Sequence, residues 1–359
     1  MRKLFILLTP LLVISLMLGM VACGGDEATP TPKPTTAPTA APTPTPEPIV
    51  LKAAMDEPAT TVRGQAMLKF KELVEQDTGG RVTVDLYAGG VLFPSSAEWQ
   101  ALISGAIDVN FAAPYFASTA IPEMWLWYQS GGLWEGADHG WAVISDARIY
   151  DIFDDLATAE GAKLLGFLAN STTTALVLKD EEVKDFTDLQ GLRIGATGKL
   201  HPLWSEYSGL VSVSVGALEH YVALAQGIID CVLVAVDEAV SKDYHEVANY
   251  AFLYPPGFAG TVTWMNEDTW DGLPSDIQDI ILNTVMPKVQ RYAQDTMLAT
   301  ELVKIEELEA NTTAVHYATP AQLAAAAEAL KDDPQIVEDL SRIGTEIIDI
   351  VDELRPSRQ

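Results

Sequence analysis

The side chains able to do chemistry are thinly spread along these 359 residues. The five histidines stand at 139, 201, 220, 245 and 316, with no metal-ligand spacing among them. No His-Glu-x-x-His run, paired Cys-x-x-Cys, phosphate-cradling glycine loop or Gly-x-Ser-x-Gly elbow is present. Acidic neighbours occur at Asp56-Glu57 and Asp154-Asp155. Adjacent side chains point apart on regular elements, so these pairs read as solvated turns rather than as an acid–base couple. Without a nucleophile–base or carboxylate-pair constellation, the chain reads as a binder, not an enzyme, with no cofactor and no metal.

Aromatic rings are the positive signal. Tyr115, Phe116, Trp204 and Trp264 fall near expected strand ends, where large rings can wall a pocket for flat or apolar ligands. Trp125, Trp127 and Trp134 read as core.

The elements that would position these groups alternate. Strands are predicted over 49–55, 81–88 and 107–112, with helices over 62–76 and from Ser95 to Gly105 between them. Further strands are predicted at KLLGFLA, TALVLK, LRIGA, LVSVSV, DCVLVAV and TVTWM, an alternation that favours parallel α/β sheets. ALISGAIDV (101–109) and ALAQGIIDC (223–231) echo each other as helix end, left-handed glycine and strand, which suggests two lobes built alike. From Ser275 a helical pattern runs to about Ala310, kinked at Pro287. A last strand and helix follow, and then one helix over 336–354. Cys231 reads as a small core residue.

Composition bounds the setting. Against 22 Lys+Arg stand 50 Asp+Glu, a net charge of −28. That balance excludes nucleic acid and electrostatic docking on anionic lipid. Arg2 and Lys3 precede an apolar run over 4–18, a signal segment. Met20-Val21-Ala22-Cys23-Gly24 resembles a bacterial lipobox, so the expected product is extracytoplasmic and lipid-anchored through Cys23. Residues 24–48 carry Pro and Thr at nearly every step and read as an extended tether.

Beyond residue 50 the chain resembles the DctP-type solute-binding proteins of tripartite ATP-independent periplasmic (TRAP) transporters. FKELVEQDTGGRVTVDLYAGGVL (70–92), ALISGAIDV, FTDLQGLRIG (186–195), LEHYVALAQGIID (218–230) and MNEDTWDGLPSDIQDIIL (265–282) carry the resemblance. It implies an α/β, two-lobe periplasmic-binding-protein fold (type II-like) with a long C-terminal helix spanning both lobes. The expected lobes are 49–170 plus about 258–300, and 171–257 plus about 301–340, with 341–359 as C-terminal helix and tail. It also implies a cleft closing on a small organic solute, a TRAP-type permease as partner, and a monomer. A sensory receptor of the same fold, presenting solute to a membrane signalling partner, is the alternative.

One departure bears on the ligand. Where the family usually presents an arginine that forks onto a ligand carboxylate, this chain has Gly195. The solute expected is therefore not a simple dicarboxylate held by the usual arginine, since burying an acid without a cation is unfavourable. Either it is neutral or partly aromatic, in a mostly apolar, aromatic-walled pocket, or its acid is met elsewhere, with Lys199 and His201 the nearest candidates. The expected pocket draws on Asp56, Ser95, Ser96, Tyr115 and Phe116 from the first lobe. Asn170, Thr173, Gly195, Lys199, Trp204, Glu219 and Trp264 supply the rest. Ser95 and Ser96 fit a helix N-cap equally well.

Overall fold

A computed structural model describes residues 47–128, 136–196, 200–254 and 259–356. The lipobox with Cys23, nearly all of the tether, Trp134 and Lys199 lie outside the described residues.

The first lobe opens with β1 (Ile49–Ala54), α1 (Val62–Asp77), β2 (Val82–Tyr87), α2 (Ser95–Ile103) and β3 (Val109–Ala112). Then come α3 (Gly136–Ile144), α4 (Ala147–Ala159) and β4 (Ala162–Ser171). The chain then crosses into β5 (Thr174–Leu178), β6 (Arg193–Ala196), β7 (Val211–Ser214) and α5 (His220–Ala225). Next are β8 (Cys231–Ala235), α6 (Val236–Ser241) and β9 (Tyr250–Tyr254), before it returns as β10 (Ala259–Asn266). The remainder is α7 (Glu267–Gly272), α8 (Ser275–Ile280), α9 (Met286–Asn311), β11 (Ala314–Tyr317), α10 (Pro320–Leu330), α11 (Pro334–Ile343) and α12 (Thr345–Glu353).

Two sheets result, ordered β2-β1-β3-β10-β4 and β7-β6-β8-β5-β9, the second extended by β11. Position by position the two orders match, as the internal echo suggested. The echo is physical. Gly105 and Gly227 both take positive φ, 71° and 68°, and end their helices. The aspartate after each glycine then does the same work in each lobe. Asp108 accepts from the Lys52 backbone N–H at 2.7 Å, and Asp230 accepts from that of Arg193 at 2.8 Å, each tying its segment to the strand next door.

The sheets are mixed rather than parallel. β10 runs antiparallel to β3 and β4, and β5 antiparallel to β8 and β9. These are the strands through which the chain passes between lobes, and a strand entering from the far lobe arrives in the opposite direction. β9 was missed because its five residues carry no alternation.

The helical run of 275–311 is continuous but not uniform. A π-turn at Ile281–Val285 separates α8 from α9, and Pro287 follows in the first turn of α9. Wider π spacing accommodates a residue with no N–H and a ring that crowds the preceding turn. α9 packs on α1 and β4 of the first lobe and on α6 of the second. Glu301 on α9 also fixes the crossover: its two oxygens accept from the Thr172 backbone N–H (3.1 Å) and hydroxyl (2.7 Å). The predicted last helix is two helices, because Gly344 at φ 83° breaks it.

Candidate functional site

The ends of the strands decide where a site can form. Ala112 of β3 pairs with Val262, and Ser171 of β4 pairs with Ala259. In the other sheet Thr174 pairs with both Ala235 and Tyr254. Thus the carboxyl ends of β3, β4, β8 and β9 all adjoin the crossovers, where open α/β sheets place ligands.

Two turns meet at this edge. The first, between β1 and α1, holds Asp56 and Glu57 and leads to Arg63, the second residue of α1. A cation there opposes the helix dipole and needs acidic partners. It has two: Arg63 Nη1 lies 2.9 Å from Asp56 and Nη2 2.5 Å from Glu57. Its Nε donates to the Thr261 hydroxyl at 3.2 Å. All three charged side chains are buried. The reading of Asp56-Glu57 as a solvated turn is therefore corrected. The pair sits in irregular chain, where neighbours need not diverge, and one guanidinium fork gathers both.

The second turn joins β8 to α6. Asp237 Oδ2 accepts from the Val62 backbone N–H at 3.0 Å, linking the lobes. Glu238 accepts from Lys242 at 2.7 Å. Burial opposes Glu238's ionisation. Lys242, a hydrogen bond with Glu57 and the charge of Arg63 nevertheless hold its pKa at about 2. Burial pushes the Glu57 carboxyl well up, only partly offset by Arg63, so Glu57 keeps the proton of this pair. Burial raises Asp237 to about 6.

A fifth carboxyl completes the cluster. Glu98 on α2 is buried and accepts from Asn110 Nδ2 at 3.0 Å. Burial, and then the charge of Asp56, raises it to about 8. Five carboxyl groups (Asp56, Glu57, Glu98, Asp237, Glu238) thus surround two cations, Arg63 and Lys242. Among the described residues no group of His, Cys, Asp and Glu is arranged to hold a metal ion.

The expected pocket residues divide. Asp56 lies in the cluster. Tyr115 lies near enough to Arg63 to act on its charge, and its half-buried ring packs 4.2 Å from that of Phe116. Thr173 is buried at the crossover and accepts from the Val236 backbone N–H beside Asp237; it also forms a reciprocal turn with Ser171. Ser95 is buried as the first residue of α2, whose N-cap is Pro94, and Ser96 is exposed. Glu219 is exposed. The backbone of Asn170 lies in β4, one residue before its end.

Two tryptophans are corrected. Trp204 is 2 % exposed and packs against Phe186 and Tyr254 inside the second lobe. Trp264 is fully buried and meets Trp99 edge-on inside the first. Both fill cores rather than a pocket wall. Trp127 is core, as expected, and Cys231 is buried and free.

Two side chains crowd Gly195. A Cβ there would lie 2.9 Å from Ile229 Cδ1 and 3.1 Å from the His220 ring. Arg193, two residues earlier, is tied to Asp230 (2.6 and 2.9 Å) and to the Gly227 carbonyl (2.8 Å). His201 is buried, and burial lowers it to about 4.

Glu57, Arg63, Glu98, Asp237, Glu238 and Lys242 were not anticipated. One signal pointed to them: Arg63 at a helix start with two acids just before it, and an acidic pair opening the helix after the second echo.

The comparisons agree with this architecture. The sequence model of bacterial extracellular solute-binding protein family 7, DctP, matches residues 53–338. The chain is 26 % identical over 328 residues to the C4-dicarboxylate-binding periplasmic protein DctP of Rhodobacter capsulatus, covering 84 % of this chain and 89 % of the relative. It superposes on the sugar acid binding protein of Advenella mimigardefordensis, solved with galactonate, with a TM-score of 0.78 at 18 % identity, covering 87 % of this chain and 99 % of that one. A TRAP periplasmic solute-binding protein of Sulfurospirillum deleyianum, solved with succinate, gives 0.75 at 21 % identity, with 86 % and 99 % covered. The chain belongs to bacterial extracellular solute-binding protein family 7, the DctP family, whose members bind solutes outside the cytoplasm rather than transform them.

Proposed function

We propose that this protein is a lipid-anchored receptor that closes two lobes over a small organic solute and delivers it to a TRAP-type permease. One observation carries the reading. The β1–α1 turn of one lobe and the β8–α6 turn of the other meet through Val62 and Asp237 at the strand ends where ligands bind. The strand order supports lobes of 49–170 plus about 258–300, and 171–257 plus about 301–340. The lipobox at Cys23 and the Pro/Thr-rich tether support anchoring. The relatives' dicarboxylates and sugar acids support an organic acid as the solute class. Gly195, standing where the family usually presents an arginine and crowded by His220 and Ile229, supports a solute other than a simple dicarboxylate.

The test is a thermal-shift screen of the full chain over organic acids, amino acids and aromatic compounds. A true solute at 100 times its dissociation constant adds about 2.7 kcal/mol of stability. A screen in which no compound raises the melting temperature contradicts the reading.

A further inference from the structure

The charge inventory at the strand ends points to the solute's chemistry. Five carboxyl groups face two cations there; with Glu57 and Glu98 holding their protons, three carboxyl groups are left against Arg63 and Lys242. Arg63, the one guanidinium in the cluster, has its three nitrogens engaged by Thr261, Asp56 and Glu57. The remaining arginines among the described residues (81, 148, 193, 291, 342 and 355) are each paired with a carboxylate as well. Every described guanidinium thus already has a carboxylate partner, and these bonds account for three of the five N–H groups of Arg63.

What is left over is an acceptor. Asp237 is 4 % exposed; its Oδ2 is satisfied by Val62, while its Oδ1 has no hydrogen-bond partner. A buried carboxylate oxygen without a donor is unfavourable by more than most single contacts contribute. A donor supplied by the ligand removes that penalty. Beside the cluster stand the half-buried rings of Tyr115 and Phe116, whose faces attract cations. Buried acid in excess, the unpartnered Oδ1 of Asp237 with Oε2 of Glu57 nearby, and an aromatic pair together complement a positively charged nitrogen.

Resting on the solute-receptor reading above, we propose that the solute carries a cationic nitrogen group, an ammonium or amidinium, which docks between Asp237 and the Asp56–Tyr115 side of the cleft. An amino acid or other zwitterion satisfies this; a plain dicarboxylate does not. Asp237 and Tyr115 are then specificity-determining residues.

Matched pairs differing only in the amine test this by titration calorimetry on the full chain: succinate with aspartate, glutarate with glutamate, 3-phenylpropanoate with phenylalanine. The expected result is that in at least one pair the aminated member binds ten-fold or more tightly than its partner. Asp237→Asn, which retains an acceptor for Val62, should reduce that preference at least five-fold, and Tyr115→Leu should weaken the aminated member alone. Amine-free acids that bind as tightly as their aminated partners overturn the inference and leave solute binding intact. Pairs that all fail to bind, while another amine-free compound stabilises the protein in the thermal screen, overturn it too. Pairs that fail together with the entire screen overturn both readings.

Discussion

Asp237 of the second lobe accepts a hydrogen bond from the backbone N–H of Val62, the first helical residue of α1 in the first lobe, at 3.0 Å. The two residues are 175 positions apart and belong to helices of opposite lobes. Between them they tie one lobe's leading helix to the other's strand-end turn. Asp237→Ala strips Val62 of its partner at a buried site and should destabilise the protein by about 1–3 kcal/mol. Asp237→Asn, which keeps an acceptor, should lose less than half as much. Urea unfolding of the two variants decides; equal losses contradict the bond's importance.

Glu98 sets a pH dependence. Folded, it holds its proton up to about 8, against 4.5 ordinarily, because burial and Asp56 disfavour its charge. Between those values the folded protein binds more protons than the unfolded chain. Its contribution is complete below about 4.5 and disappears as pH rises through 8, an effect on the order of 4 kcal/mol. Asp237, raised to about 6, acts in the same direction. Glu98→Gln should therefore match the wild type near pH 5 and exceed its stability at pH 9. Parallel stability–pH curves for the two proteins would contradict this.

Gly64 is required by close approach. A Cβ there would sit 2.3 Å from the Pro58 carbonyl oxygen and 2.6 Å from Ala59 Cα, both backbone atoms. Gly64→Ala must push away the turn that carries Asp56 and Glu57. It should destabilise by about 1–3 kcal/mol and weaken solute binding at least ten-fold. Unchanged affinity in a folded Gly64→Ala protein would detach that turn from the site.

Restoring an arginine at residue 195 should not restore an acid clamp. Its Cβ alone would meet Ile229 Cδ1 at 2.9 Å and the His220 ring at 3.1 Å, so both side chains must move aside. Gly195→Arg should lose about 1–3 kcal/mol or more and gain no succinate affinity in calorimetry. Trp204→Phe, a change inside the second lobe's core, should lower the melting temperature and leave solute affinity within two-fold.

Much of the frame was legible in the sequence because it is written in local periodicity and in two echoing segments. Gly105 with Asp108 and Gly227 with Asp230 perform one task twice; the nine-residue echo suggested two lobes built alike but was too short to establish a repeat. The antiparallel strands β5 and β10 were not legible as such, since strand direction is set by the crossovers rather than by composition. The site was less legible. Tyr115 and Asp56 fall at the candidate cluster, but Trp204 and Trp264 look alike whether they wall a pocket or fill a core. The buried carboxyls were missed for a physical reason: Asp56 and Glu57 are buried only because Arg63 gathers them, and Asp237 only because Val62 meets it from the other lobe. Such pairings join segments far apart in the chain and leave no local pattern.

The most direct test of the central claim is a crystal structure of the protein with the solute that the screen selects. The account places the solute between the β1–α1 turn and the β8–α6 turn, in contact with residues of both lobes and beside Asp237 and Tyr115. A solute bound within one lobe alone, or at the opposite ends of the strands, would contradict it.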